Sequence, residues 1–206
     1  MEQYSNRDVV INGFYNNFIA QVGGVDEANP DKYAWMCGWS DKHNQYVRFE
    51  MLAKIGIKNK DVVLDIGCGG GEFVQYCKDK KLKIDYVGID INPFYLRIAQ
   101  TKHPKSVFVM SNGWDLTAAE YDWAIASGIF TLETNLTYIL WYVGYVMDRL
   151  VKKGFAFNLL NNKAPEGLMC YNPDEILSAL RDRFPEYKVE IIDGYLPDDF
   201  TVHVIK

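Results

Sequence analysis

From Asp61 onward, short β-branched runs alternate with helical patterns, and this alternation constrains the fold more than any other feature of the sequence. Helical patterns follow most of these runs, and strands joined by helices form a parallel sheet that is covered on both faces. We therefore predict a Rossmann-like, doubly wound α/β fold with a mostly parallel seven-stranded sheet. The predicted strands are 62–66, 86–89, 107–110, 121–127, 155–160, 189–192 and 200–205, and the predicted helices are 72–80, one starting at Pro93, 135–152 and 173–184.

The connection between the last two predicted strands, residues 193–199, is too short for a crossover helix and indicates a hairpin. The sheet should therefore contain one antiparallel strand near an edge. In the doubly wound class, ligands bind beyond the carboxyl ends of the strands.

Residues 1–60 contain no strand candidate of useful length. A helical stripe at Val10, Phe14, Phe18 and Val22 predicts a first helix, and Ser40-Asp41 is typical of the N-cap of a second. We interpret 1–60 as an N-terminal helical extension or lid and 61–206 as the sheet domain, within a single structural domain overall.

The sharpest local motif is Asp65-Ile66-Gly67-Cys68-Gly69-Gly70-Gly71-Glu72-Phe73, where a strand turns through glycines into a helix. Glycines let the backbone approach a ligand closely. A dinucleotide site would need a third glycine where Glu72 stands, because a carboxylate there repels a pyrophosphate. The motif also lacks the Gly-Lys-Ser/Thr ending of a P-loop.

Asp90 ends the second predicted strand. An acid at that place is suited to a bidentate grip on two ribose hydroxyls. The alternative is a solvated carboxylate at a strand end.

These motifs resemble those of class I S-adenosylmethionine-dependent methyltransferases. The stretch Val62 to Phe73 resembles motif I of that family, and Val87-Gly88-Ile89-Asp90 resembles its ribose-binding strand end. The resemblance implies an enzyme with S-adenosyl-L-methionine as cofactor. It further implies that Gly67 and Gly69 line the amino-acid moiety and that Asp65 orients the glycine loop and the ammonium group.

The same resemblance implies roles at the next strand ends. Asp90 would bind the ribose hydroxyls, and Ile91 would pack on the adenine. Asn112 would meet the adenine amino group, where the family usually has an acid, and Gly113 would offer its backbone N–H to the ring. Ser127 would face the sulfonium.

The acceptor is predicted to be a small molecule. The fourth strand ends in Ser127-Gly128-Ile129-Phe130 instead of the Asn/Asp-Pro-Pro-Tyr/Phe typical of methyltransferases that act on amide or base nitrogens. The net charge of −5 also disfavours a nucleic-acid partner. Segments around Trp39, Arg48, Gly128, Asn158 and Asp199 resemble a small bacterial and phage-type branch with members in surface-carbohydrate and secondary-metabolite pathways, which suggests a sugar or secondary metabolite.

Several alternatives stay open. The chain could be a non-catalytic S-adenosylmethionine-binding module, a methyltransferase acting on a protein or nucleic acid, or an enzyme that uses the same cofactor for aminopropyl transfer. A nicotinamide oxidoreductase is disfavoured by Glu72.

No catalytic residue is identified from the sequence. His43 and Tyr46 are the candidates for a base or substrate contact, with Glu133 and Tyr171 as comparable possibilities. Arg48 could reach the cofactor carboxylate, or it could form a salt bridge with a neighbouring acid. Four loop aromatics are expected near the pocket mouth: Tyr33, Trp35, Trp39 and Trp114.

The four cysteines match no zinc template, and no metal site is predicted. The N-terminus lacks an apolar signal-peptide core, and no stretch approaches the ~20 apolar residues of a membrane span. We expect a soluble, cytoplasmic protein that is a monomer or homodimer.

Overall fold

The structure is a computed structural model that describes residues 2–22, 34, 37–39, 41–116, 120–161 and 167–206. Its helices are α1 (Glu2–Val22), α2 (Lys42–Ala53), α3 (Glu72–Asp79), α4 (Pro93–Lys102), α5 (Leu136–Tyr145) and α6 (Pro173–Arg183), with a short π-helix at Val146–Leu150. Its strands are β1 (Val62–Ile66), β2 (Asp85–Asp90), β3 (Val107–Met110), β4 (Tyr121–Ala126), β5 (Val151–Leu160), β6 (Lys188–Leu196) and β7 (Asp199–Ile205).

The strands form one seven-stranded sheet in the order β3-β2-β1-β4-β5-β7-β6. Strands β1 to β5 pair in parallel, whereas β7 runs antiparallel to both of its neighbours, β5 and β6. The predicted doubly wound sheet with one antiparallel strand is confirmed. Strand order reverses between β1 and β4, so the carboxyl ends of β1, β2, β3 and β4 border one cleft.

Alternate strand residues serve two separate cores, as a sheet covered on both faces requires. Leu64 and Ile66 point to the core formed with α5, the π-helix and α6. Val63, between them, points to the opposite core, where Leu52 of α2 and Phe73 of α3 pack. Helix α2 thus shares a core with the sheet.

The prediction of one helix over 135–152 is wrong at its C-terminal end. Helix α5 ends at Tyr145, the π-helix follows, and β5 already starts at Val151, which pairs with Tyr121. Lys153 therefore lies in a strand instead of at a helix end. Its ammonium binds Asp61 at 2.7 Å and Asp122 at 3.1 Å.

The apolar stripe predicted for the first helix does not mark its buried face. Val10 is 66% exposed, whereas Arg7, Ile11 and Tyr15 point inward. Polar residues of the helix, among them Arg7, Asp8 and Asn12, face the cavity, so the usual rule that the apolar face is the inner one does not hold here. The cap predicted for the second helix is confirmed at Asp41, which accepts the Asn44 N–H at 2.7 Å, while Ser40 lies outside the described residues.

Across the described part of the chain, no helix is long and apolar enough to cross a bilayer, and no cluster of side chains could hold a metal ion.

Candidate cofactor and active site

A cavity of about 1030 Å³, including the part open to solvent, lies at the carboxyl ends of β1, β2, β3 and β4. Helix α1 forms its outer wall. Its lining includes Arg7, Asp8, Asn12, Tyr15, Trp39, Asp65, Gly67, Gly69, Glu72, Asp90, Ile91, Asn112, Ser127, Gly128, Tyr138 and Tyr142.

The glycine loop forms the floor of this cavity. Gly67 has a φ of +72°, and a Cβ added there would lie 2.5 Å from Ile129 Cγ2. The N–H groups of Gly67 and Cys68 donate to the Ile89 carbonyl, at 2.8 and 2.9 Å, which ties the turn to the end of β2. The Ile129 side chain already occupies the place of a Cβ, and the φ of Gly67 is positive, so only glycine fits this tight turn in the cavity lining.

Asp90 is buried at the end of β2, and its carboxylate holds the glycine loop. It accepts the Gly69 N–H and the Asn92 N–H, both at 2.8 Å. Burial raises the pKa of Asp90, and the backbone N–H donors oppose that rise. The solvated alternative does not apply, because Asp90 is only 9% exposed.

Asp65 is buried at the end of β1 and accepts the Tyr86 hydroxyl at 2.7 Å. Burial raises the pKa of Asp65 to about 7, the Tyr86 hydrogen bond opposes the rise, and the Asp90 charge adds to it. The cavity therefore contains a carboxylate that gains from a nearby cation.

Three more predicted residues line the cavity, namely Ile91, Asn112 and Ser127. The Ser127 Oγ is buried and has no hydrogen-bond partner among the described residues. Gly113 does not line the cavity, since its N–H donates to the Ser111 Oγ at 2.9 Å and is not offered to a ligand. The predicted role of Gly113 toward the adenine is not supported by this placement.

Arg48 lies outside the cavity, so the geometry favours the salt bridge over a contact with the cofactor carboxylate. Its Nε donates to Asp199 Oδ2 at 2.7 Å, and both side chains are buried. The Asn158 amide donates to the same carboxylate at 3.3 Å, and Tyr195 bonds it as well.

This buried network reaches the active-site turn. Asn158 Oδ1 accepts the Gly128 N–H at 3.0 Å, and the Arg48 guanidinium stacks 4.4 Å from the centre of the Trp39 ring. The same indole lies against Gly128, where an added Cβ would be 3.0 Å from the ring. Arg48 and Asp199 thus hold the turn after β4 in place through Asn158 and Trp39, from outside the cavity.

Neither candidate base reaches the cavity. His43 is exposed on α2, and the Tyr46 hydroxyl donates to Asp79 at 2.8 Å on the protein surface. The other two histidines also lie outside the cavity lining. His103 caps the C-terminal end of α4, and buried His203 hydrogen-bonds the Met51 carbonyl at 2.9 Å.

The sequence reasoning missed the inner face of α1. Arg7 binds Glu133 at 2.9 Å and lies 3.9 Å from the centre of the Tyr138 ring. The Tyr15 hydroxyl donates to the Gly128 carbonyl at 3.5 Å. The polar and aromatic residues at helical spacing in α1 could have indicated this inner face. The apolar stripe instead led to the prediction that the other face is buried.

The aromatic prediction holds for Trp39, which lines the cavity. Trp114 instead stacks on Trp141 with 4.4 Å between ring centres, away from the lining. Tyr33 and Trp35 lie outside the described residues.

Comparisons with known proteins agree with this geometry. Residues 63–139 match the family described as a methyltransferase domain. Rv1506c of Mycobacterium tuberculosis, provisionally named a methyltransferase, is 27% identical over 155 residues, which is 69% of this chain and 91% of the relative. An S-adenosylmethionine-dependent methyltransferase of Aquifex aeolicus has a TM-score of 0.63 at 18% identity, with 86% of this chain and 98% of that chain covered.

Together these findings support a class I S-adenosylmethionine-dependent methyltransferase. The fold also matches phosphoethanolamine N-methyltransferase 2 of Haemonchus contortus, solved with S-adenosyl-L-methionine, at a TM-score of 0.63 and 10% identity over 84% of this chain and 56% of that one.

The cavity of this methyltransferase fits its cofactor, S-adenosylmethionine. Buried carboxylates at Asp65 and Asp90 suit a ligand that carries positive charge and hydroxyl donors. Gly67 and Gly69 line the cavity without side chains, which suits a close backbone contact, and the Ser127 Oγ, which is buried without a partner among the described residues, suits a polar ligand atom.

Proposed function

We propose that this methyltransferase transfers the methyl group to a small-molecule acceptor that enters beside Ser127. The observation that carries the proposal is the covering of this end of the cavity by α1, with the Tyr15 hydroxyl bonded across to Gly128. A polymer would need a flat or open face at the same place.

The aromatic lining of the cavity beside Ser127 and Gly128, here called the acceptor end, supports the same proposal. Gly128 lies between Trp39 and Tyr15, and Tyr138 and Tyr142 continue the wall. Concave sites lined by rings with few polar groups are typical of small ligands. The acidic lining at Asp65 and Asp90 disfavours a polyanionic partner.

Bound S-adenosylmethionine supplies an electrophilic methyl group on a sulfonium. The residues of the chain position the reactants and exclude water. Asp65 and Asp90 provide negative charge for the cation, and Glu72 is held by Lys102 beside them. The network behind Gly128 keeps the turn rigid, so the acceptor meets a fixed wall. Positioning of this kind can supply several kcal/mol of a reaction barrier.

The test is transfer of a tritiated methyl group from S-adenosylmethionine into a cell extract split by size. We expect label in the fraction below about 3 kDa. Label in protein or nucleic acid would overturn the small-molecule proposal. Cofactor binding by calorimetry with no label in either fraction would overturn it in favour of the non-catalytic binding module.

We also propose that residues 1–60 act as a helical extension of the 61–206 sheet domain, that the protein is cytoplasmic, and that it is a monomer or homodimer. Sedimentation analysis of the purified protein and fractionation of the source cells test the last two points.

A further inference from the structure

Helix α1 presents two parallel rows of side chains to the cavity, each with a spacing of four residues. Arg7, Ile11 and Tyr15 form the first row, which faces Glu133, Tyr138 and Gly128 at the acceptor end. The second row consists of Asp8 and Asn12, which line the cavity, and of Asn16, which is exposed and lies outside the lining. This row faces the ends of β2 and β3.

The second row makes polar contacts with the strand ends. Asp8 accepts the Asn112 amide at 3.1 Å, and the Asn12 amide donates to the Ile91 carbonyl at 3.4 Å. One turn further, Asn16 Oδ1 accepts the Asn92 amide at 3.1 Å. Each contact places an α1 side chain over the segment that follows β2 or β3.

One atom of this row is buried without a partner. The Asn12 amide nitrogen is already bonded to Ile91, and its Oδ1 has no hydrogen-bond partner among the described residues. A buried acceptor left unpaired is destabilising, so a ligand donor would be favoured at this atom. Asn12 Oδ1 and the Asp8 carboxylate are both acceptors that line the cavity, so a ligand at this end should present donors to them.

The nucleoside part of the cofactor has that chemistry, because it carries two ribose hydroxyls and an exocyclic amine. Asn12 lies over Ile91, the residue directly after Asp90, and Asp8 lies over Asn112 at the end of the neighbouring strand. The sulfonium and the acceptor belong at the other end, beside Ser127 and Gly128.

We propose that Asp8 and Asn12 bind the nucleoside end of S-adenosylmethionine, so that α1 is an element of the cofactor site as well as a cover for the acceptor. The inference rests on the cofactor assigned above. Its consequence is that the nucleoside, bound alone, holds α1 against the sheet.

The first measurement is the affinity for S-adenosylhomocysteine by calorimetry. Asn12→Ala should weaken binding about 5-fold, the usual effect of one neutral hydrogen bond. Asp8→Ala should weaken it by 10-fold or more, since hydrogen bonds to charged groups are stronger. Asn17→Ala is the matched control, because Asn17 lies on the exposed face of the same helix, and it should stay within twofold of the wild type.

The second measurement is hydrogen exchange of α1 amides in the full wild-type chain, which needs no variant to fold. Adenosine should slow exchange in α1, and free methionine should not. Unchanged affinity in both Asn12→Ala and Asp8→Ala, or α1 protection by methionine but not by adenosine, would overturn the inference and leave the cofactor assignment intact. A wild-type chain that binds neither S-adenosylmethionine nor S-adenosylhomocysteine would overturn both.

Discussion

Asp65 shows how a single buried carboxylate couples cofactor binding to pH. Burial raises its pKa to about 7, and Tyr86 and Asp90 act on it in opposite directions. Burial raises the pKa of Tyr86 and Cys68 well above their usual ranges, so these neighbours stay neutral near pH 7. The folded protein without ligand thus retains a proton that the unfolded chain loses near pH 4. Its stability should fall as pH rises from about 4 to about 7.

Without a ligand, folded Asp65 prefers its protonated form. A bound cation reverses this preference, because it favours the ionised carboxylate. Affinity for S-adenosylmethionine should therefore weaken about tenfold as pH falls from 8 to 6, the change in the ionised fraction of a group with a pKa of about 7. Calorimetry across this range provides the measurement. Asp65→Asn should bind the cofactor less tightly, lose this pH dependence, and melt at a higher temperature than the wild type at pH 8. A wild-type affinity that does not vary with pH would contradict the assignment.

At the scale of elements, the turn after β4 is held by α2, β5 and β7 together. Arg48 comes from α2, Asn158 from β5 and Asp199 from β7, and their hydrogen bonds converge behind Gly128. Burial raises the pKa of Asp199, and the Arg48 charge opposes that rise. The ion pair thereby favours the ionised form of a deeply buried carboxylate.

Arg48→Met should destabilise the protein by about 3–5 kcal/mol, because it leaves Asp199 buried without its cation. Urea denaturation should show a larger loss of unfolding free energy at pH 8 than at pH 6. At pH 6 the unpaired Asp199 carboxylate can take up a proton more easily and so avoid a buried charge. Adding Asp199→Asn should recover part of the stability.

Cofactor affinity distinguishes this structural role of Arg48 from the carboxylate contact expected from the sequence. Because Arg48 lies outside the cavity, the folded Arg48→Met variant should bind S-adenosylmethionine within about threefold of the wild type. An unchanged free energy of unfolding together with a tenfold loss of affinity would favour the carboxylate contact instead.

At the scale of the whole molecule, the features predictable from sequence are local ones. Strands follow from β-branched runs, the glycine loop from its spacing, and the antiparallel strand from the short connection before it. The partner of Arg48 could not be predicted, because Asp199 is 151 residues away along the chain. The inner face of α1 was misjudged because it carries polar residues that face the cavity, contrary to the amphipathic rule.

The position of β7 makes the last residues of the chain decisive for the whole fold. Although β7 comes last in sequence, it lies inside the sheet between β5 and β6, and residues 199–204 are buried. Phe200, Val202 and Val204 fill the same core as β5 and α6, while the backbone pairs with strands on both sides. The sheet is therefore complete only when β7 is in place between β5 and β6.

Removal of residues 200–206 should abolish cooperative unfolding, because it deletes three core side chains and leaves the backbone of β5 and β6 unpaired. Removal of Lys206 alone is the matched control and should leave a single cooperative transition, since this exposed residue adds only peripheral contacts with the start of β5. Circular dichroism during heating measures both. A cooperative transition in the longer deletion would mean that β1 to β5 and their helices fold without β7, and that the C-terminal hairpin is an accessory to the sheet.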